Sequence, residues 1–383
     1  MRICVIGAGI LGLTTVYELC CRGHDVTIVD REHAFAGASH RSFAWINANN
    51  KSPASYHRIN ALGVEEHQRL QDRFPSDREW VHMSGNILAD FSASYAETYA
   101  KRIETADEND YPVQRISRDE LKALEPEVEW PDNVEGALFF PEEGYLDNDI
   151  LAEEIIASLE TRGVGIDRAE AERIDSCESS ATVVFTDGRE AQFDRVVIAA
   201  GAGSRELGAT SGWEIPVADL STPSPRTHSL LGLTKPKNIG LRRVIISDRI
   251  NVRPRHDGRM WVQVPGIEVR VEEGESRKLL SEVGLVMEAE LERLFGKEVP
   301  MEKVIFSGRS FPEDGMSIVG HVDEWRKVYC AITHSGMTLA ALFARLTADE
   351  LEGAESELLA DFRPSRFAGE VIQPADDNFI GKQ

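Results

Sequence analysis

Ile3-Cys4-Val5-Ile6-Gly7-Ala8-Gly9-Ile10-Leu11-Gly12 opens the chain with an apolar run that passes directly into three spaced glycines. The run reads as a buried strand, and the glycines as a G-x-G-x-x-G turn into a helix from Leu13 to about Arg22. Each glycine has its own task. Gly7 makes the tight turn, Gly9 lets backbone approach a pyrophosphate, and Gly12 lets helix pack on strand. The helix start then points amide N–H groups and a positive dipole end at the phosphates. A second strand, Asp25-Val26-Thr27-Ile28-Val29, ends on Asp30. A carboxylate roughly 20 residues after the glycines accepts both hydroxyls of an adenosine ribose and repels a 2′-phosphate. A bare strand–helix junction explains the glycines alone, but not glycines followed by strand and acid in register.

At 383 residues, with 42% hydrophobic content, the chain is long enough for two domains. It carries 42 basic and 65 acidic residues, a formal charge of −23. Such a field disfavours nucleic acid and anionic membrane surfaces as partners. The cysteines at 4, 20, 21, 177 and 330 show no disulfide framework, so a reducing, cytoplasmic setting is expected. The apolar N-terminus lacks the charged flank of a signal peptide, and no stretch approaches 18 apolar residues, so no membrane span is expected. His228, His256 and His321 have no ligand spacing with Cys, Asp or Glu, and no metal site is expected. The acidic runs 268–275 and 350–357 read as solvated faces.

Further along, Ser52-Pro53 reads as an N-cap and first-turn pair for a helix bearing Tyr56, Ile59, Leu62, Leu70 and Phe74. Asp147 is a candidate cap for a helix from Ile150 to Leu159. A strand pair near Thr182–Phe185 turns at Asp187-Gly188, and the apolar strand Arg195–Ala200 runs into Gly201-Ala202-Gly203. That second glycine cluster lacks a downstream strand ending in an acid, which argues against a second dinucleotide site. Met260–Val264 alternates like a strand, an amphipathic helix is expected near 276–295, and Val328–Ile332 leads through His334-Ser335-Gly336 into a last helix.

The expected fold is α/β: a discontinuous Rossmann-like nucleotide domain from 1–80, 145–215 and 305–366. A second, α+β domain with a mixed or antiparallel sheet comes from 81–144 and 216–304, and 367–383 forms a C-terminal extension.

These pieces, in this order, resemble the D-amino acid oxidase family of flavoproteins, the group with glycine oxidase and sarcosine oxidase. The resemblance is carried by Val5–Gly12, Val29-Asp30-Arg31, Gly37-Ala38-Ser39 and Ser42-Phe43-Ala44-Trp45. It continues through Val197–Ala202, Gly308-Arg309, Asp314–Gly320 and His334-Ser335-Gly336-Met337.

The resemblance implies FAD as cofactor, its pyrophosphate on Gly7, Gly9, Ile10, Leu11 and Gly12, and its ribose on Asp30 beside Arg31. It implies that Ala38, Ser39, Arg41 and Ser42 contact the phosphates and the flavin side, and that Ala44 and Trp45 lie by the isoalloxazine. Ala171 is aligned with the segment that offers backbone to adenine, and Ala200-Gly201 with a close approach to the phosphates. Gly336, Met337 and Thr338 open a helix aimed at the flavin N1/O2 edge, where donors stabilise the charge that reduction brings.

The resemblance then implies Arg309 as the substrate residue, gripping a carboxylate through two parallel hydrogen bonds, with a structural ion-pair arginine as the other reading. His334 either contacts substrate or flavin, or only caps and packs. The activity implied is oxidation of the C–N bond of a small amine or amino acid, with oxygen or another acceptor taking the electrons. A cysteine is missing from Ser310-Phe311-Pro312-Glu313, where relatives with covalent flavin carry one, so FAD is expected to be non-covalent. Met260 aligns with the lysine that sarcosine oxidase-like members use toward oxygen. Trp45 and Trp261 also read as core aromatics. A 2-hydroxy acid dehydrogenase and a non-catalytic FAD-binding protein are the rival readings.

Overall fold

A computed structural model describes residues 1–92 and 96–369. The opening run forms the strand Arg2–Ile6 at the heart of a six-stranded sheet. From one edge to the other the sheet runs Ile318–His321, Val328–Ile332, Arg195–Ile198, Arg2–Ile6, Asp25–Asp30 and Ile166–Arg168. All neighbours are parallel except the first pair. The central strands are apolar on both faces because both faces of the sheet are covered. Ile3 and Val5 pack with the helices Ile10–Cys21, Ala54–Arg73, Asn148–Thr161 and Gly336–Leu351, while Cys4 and Ile6 face the antiparallel sheet of Ala171–Ser176, Ala181–Phe185 and Glu190–Phe193.

A second sheet of eight strands has the order Met301–Gly308, His228–Thr234, Met260–Gln263, Asn251–Pro254, Val244–Ser247, Asn86–Ala89, Gly136–Phe140, Gln114–Ser117. It is mixed, with one parallel pair, Val244–Ser247 on Asn86–Ala89. One face is covered by the helix Arg277–Phe295, whose N-cap Ser276 accepts from the Leu279 N–H at 3.1 Å. The other face carries Leu88, Leu138, Leu231 and Trp261 and looks toward Phe43 and Trp45. Among the described residues no helix is long and apolar enough to cross a membrane.

We propose the two-domain division read from sequence with one boundary moved. The strand Met301–Gly308 pairs along its length with His228–Thr234, so a break at 304/305 would cut it, and a break after Gly308 respects the pairing. Most of the expected C-terminal extension, from 370 onward, lies outside the described residues.

Two helix starts differ from expectation. Pro53, not Ser52, is the N-cap of Ala54–Arg73, with extended backbone and no side-chain capping bond. Asp147 does occupy the N-cap of Asn148–Thr161, but its carboxylate caps nothing. It accepts instead from His82 Nε2 at 3.0 Å and lies 3.6 Å from the Arg253 guanidinium, because buried charge recruits charge before it serves a helix end. The expected solvated faces also fail at two positions. Glu350 is buried and accepts from Tyr329 Oη at 2.8 Å and from Arg363, and Glu268 is largely buried beside Arg309.

Candidate active site

Two helix N-termini meet in one place because the first and last helices cross: Thr14 Oγ1 donates to Ile10 O at 2.8 Å and approaches Ala340 O at 3.2 Å. The crossing is close on the strand side as well. Gly7 has φ +108°, and a Cβ on Gly12 would stand 1.8 Å from the Gly7 carbonyl oxygen.

Gly9, the N-cap of the first helix, has no side chain with which to cap it, and the Ile10 N–H donates to Ser39 Oγ at 2.9 Å. At the last helix the N-cap is Ser335, whose hydroxyl is committed to Tyr56 Oη at 2.8 Å and caps nothing. Both helices therefore keep first-turn N–H groups with no acceptor in the helix, and both present a positive dipole end.

These ends open on a cavity of about 400 Å³. Gly7, Gly9, Ile10, Leu11, Asp30 and Arg31 line one end. Ala38, Ser39, Arg41, Ser42, Ala44 and Trp45 line its side, with Ala200 and Gly201 opposite. Gly336, Met337, Thr338, His334 and Arg309 line the far end. Gly12 lies behind the cavity, as its packing task requires. Ala171 does not reach it. Asp30 pairs with Arg168, and the Ala169 N–H donates to the Asp30 carbonyl at 3.0 Å, so the chain passes Asp30 two residues before Ala171 and then turns into a hairpin.

Asp30 is fixed by two backbone donors, Ala8 N–H at 2.7 Å and Glu32 N–H at 2.8 Å, one on each carboxylate oxygen. Each oxygen retains a lone pair for a hydroxyl. Asp30→Ala is expected to weaken FAD retention by roughly 1–3 kcal/mol and leave the ranking of substrates unchanged. Reconstitution of apoprotein with FAD measures the first, and a reordered ranking would contradict the assignment.

The loop beside the cavity is held under strain. Ala44 has φ +53°, a conformation non-glycine residues avoid. Its N–H donates to Ser42 Oγ at 3.0 Å, its carbonyl accepts from Leu146 N–H at 2.9 Å, and Arg253 donates to the preceding Phe43 carbonyl.

At the far end the Arg309 N–H donates to the Thr227 carbonyl at 2.8 Å, and its Nη2 to the His228 carbonyl at 3.2 Å. The Arg309 side chain is 24% exposed. His334 Nδ1 lies 3.2 Å from Ser335 Oγ and 3.4 Å from Tyr56 Oη, and its ring meets Phe311 edge-on. Burial, then the charges of Lys51 and Arg309, hold its pKa well below the ordinary histidine value, so the imidazole is neutral near pH 7.

Sequence patterns did not reveal four residues here: Lys51, Arg102 and Gln263, which line the cavity, and Glu268, whose Oε2 is 3.9 Å from Arg309 Nη2. The polar run Asn47-Ala48-Asn49-Asn50-Lys51 after an apolar strand was the available signal for Lys51. Met260 faces away from the cavity, among Val262 and Met287, whereas Trp261 and Gln263 occupy the alternate positions of the same strand. Trp261 is a core aromatic, and Trp45 is both core and cavity wall. Asp147, Asp149 and His256 place ligand atoms within 4.8 Å of one another, a grouping their sequence spacing hides, but Arg253 and Arg255 already meet those carboxylates.

The cradle fits FAD. Two helix N-termini suit its anionic portions, Gly201 with φ +57° leaves room beside Ser310, and among the described residues no cysteine lines the cavity.

Residues 2–350 match the family model of FAD-dependent oxidoreductases, the DAO family, and the chain belongs to that family. Glycine oxidase of Geobacillus kaustophilus is 25% identical over 385 residues, spanning 96% of this chain and 98% of the relative. A crystal structure of glycine oxidase from Geobacillus kaustophilus superposes with a TM-score of 0.80 over 96% of this chain and 100% of that one, at 20% identity. A shorter match, 22% identical over 219 residues, covers 57% of this chain and only 26% of the 4-methylaminobutanoate oxidase (formaldehyde-forming) of Paenarthrobacter nicotinovorans. The protein is an FAD-dependent oxidoreductase.

Proposed function

We propose that the protein oxidises the C–N bond of a small amine or amino acid whose carboxylate is held by Arg309. The observation that carries this reading is a guanidinium facing the same cavity as the two helix N-termini. A near full-length relative is a glycine oxidase by name, which supports an amino acid as substrate. FAD, when bound, supplies a hydride acceptor at N5 and hands the electron pair to oxygen or another acceptor.

The chain's own residues do the rest. Arg309 can grip a carboxylate through two parallel N–H bonds and so fix the Cα–H direction. The cationic far end favours the neutral form of the substrate amine, which is the form able to lose hydride from Cα. His334, kept neutral, adds no charge to that balance. Loss of hydride and of the N–H proton leaves an imine, which water hydrolyses to a carbonyl compound, so no dedicated base is required. An anaerobic spectrum against amines and 2-hydroxy acids tests the reading. Bleaching by amines is expected, and bleaching by hydroxy acids alone would overturn it.

Glu268 adds a pH dependence. Burial pushes it up to about 7, against the pull of its charged neighbour Arg309. Below that pH the neutral acid leaves Arg309 to an incoming carboxylate, and above it the anion competes. Affinity for an unreactive monocarboxylate such as acetate is expected to fall several-fold as pH rises through about 7. Flavin-absorbance titrations measure it, and the same step persisting in Glu268→Gln would remove Glu268 from the account.

A further inference from the structure

We propose that the substrate is an amine bearing two anionic groups, one held by Arg309 and the second by Lys51. The proposal deepens the amine-oxidation reading and rests on it.

Lys51 ends the loop that runs from Trp45 along the cavity wall to the helix Ala54–Arg73, and it follows Asn50, whose φ is +56°. It lines the same cavity as Arg309. Its charge and that of Arg309 both act on His334, and all three residues line the same cavity. Among the described residues the Lys51 ammonium makes no hydrogen bond or ion pair.

The nearby carboxylate is spoken for. Glu143 is fully buried and accepts from Asn49 Nδ2 at 2.7 Å, Asn49 N–H at 2.9 Å, Ala48 N–H at 3.2 Å and Tyr111 Oη at 3.2 Å. Arg102 donates to the Asn49 side-chain oxygen. Glu143 thus anchors the loop that presents Lys51 rather than quenching it. A half-buried ammonium without a protein acceptor is left to water or to an anion that a ligand brings. Burial also draws Lys51 down to about 8, still protonated at neutral pH.

The charge of the whole molecule makes this local arrangement informative. A protein of net charge −23 repels anions, yet this end of its cavity gathers Arg309, Lys51 and Arg102. Among the described residues Glu268 and Glu143 stand against them, both of which burial biases toward the neutral acid. Clustered cations in a low-dielectric cleft focus the field and recruit anions that the remaining surface turns away. One carboxylate satisfies Arg309, and a second anionic group matches Lys51.

Holoenzyme titrated with acetate and with malonate, succinate and glutarate, read by the perturbation of flavin absorbance, tests the assignment. At least one dicarboxylate is expected to bind on the order of tenfold more tightly than acetate. Lys51→Met should bring that ratio near unity, and Lys51→Arg should restore most of it. Equal binding of mono- and dicarboxylates by the unaltered protein, or an unchanged ratio in Lys51→Met, would overturn the proposal. Anaerobic bleaching supplies the second readout. Faster bleaching by aspartate or glutamate (either enantiomer) than by glycine and alanine supports it. The reverse preference overturns it while leaving amine oxidation intact, whereas bleaching by no amine overturns both.

Discussion

Gly9→Val is expected to yield a folded protein that does not retain FAD. Gly9 has φ −76° and ψ −174°, extended backbone open to any residue, so the substitution adds no backbone strain. Its effect is steric. A Cβ at this position would lie 3.1 Å from Ser39 Oγ, tight but tolerable, and the two methyl groups of valine must then project over the helix start. They would cover the first-turn N–H groups and displace Ser39, which accepts the Ile10 N–H. Losing two or three charge-assisted hydrogen bonds to a pyrophosphate costs on the order of 3 kcal/mol or more, a fall in affinity of 100-fold or greater. Gly12→Ala provides the contrast, since its Cβ would sit inside the Gly7 carbonyl and must damage the fold itself. Circular dichroism and the flavin-to-protein absorbance ratio separate the two outcomes. Yellow, fully loaded Gly9→Val would show that the phosphates bind elsewhere.

The glycine turn was legible because its constraints are local. Gly12 is demanded by the nearby Gly7 carbonyl and Gly7 by Ala199 at the end of the neighbouring strand, and Asp30 follows at a distance the βαβ geometry sets. The strands Arg195–Ile198 and Val328–Ile332 were legible for a similar reason, since only a doubly covered sheet tolerates such continuous apolar runs.

What was not legible depends on which distant surface a side chain meets. Glu268 sits in an acidic run and looks solvated until the helical turn Pro265–Glu273 is laid against the strand carrying Leu230. Met260 and Gln263 differ only in strand parity, so an alignment uncertain by one residue exchanges a core position for a cavity position. Lys51 carries no motif at all; its significance comes from Glu143, 92 residues later, which fixes its loop. Ala171 opens a hairpin strand just after Ala169, and alignment alone does not register where the chain turns.

Arg309→Ala is expected to remove carboxylate recognition while the protein stays yellow. Two contacts fix the arginine, its own N–H on Thr227 and Nη2 on the His228 carbonyl, and the first survives truncation. A guanidinium has five N–H donors, one is committed to His228, and Glu268 at 3.9 Å lies beyond hydrogen-bond reach, so a fork remains for a ligand. Removing one member of a desolvated charge pair usually leaves its partner stranded. Here the partner is Glu268, already drawn up to about 7 with Arg309 opposing the shift, and without Arg309 it moves further toward the neutral acid. The fold is thereby spared an unpaired charge, and the loss falls on the substrate. Binding of a carboxylate should weaken by roughly 2–4 kcal/mol, about 30- to 800-fold in kcat/KM for an amino acid substrate. Arg309→Lys should fall between, because an ammonium keeps the charge but not the planar fork. An amine lacking a carboxylate should be affected far less, which separates lost recognition from general damage. Unaltered KM and kcat in Arg309→Ala would exclude Arg309 from the site and leave Lys51 as the anion-binding group.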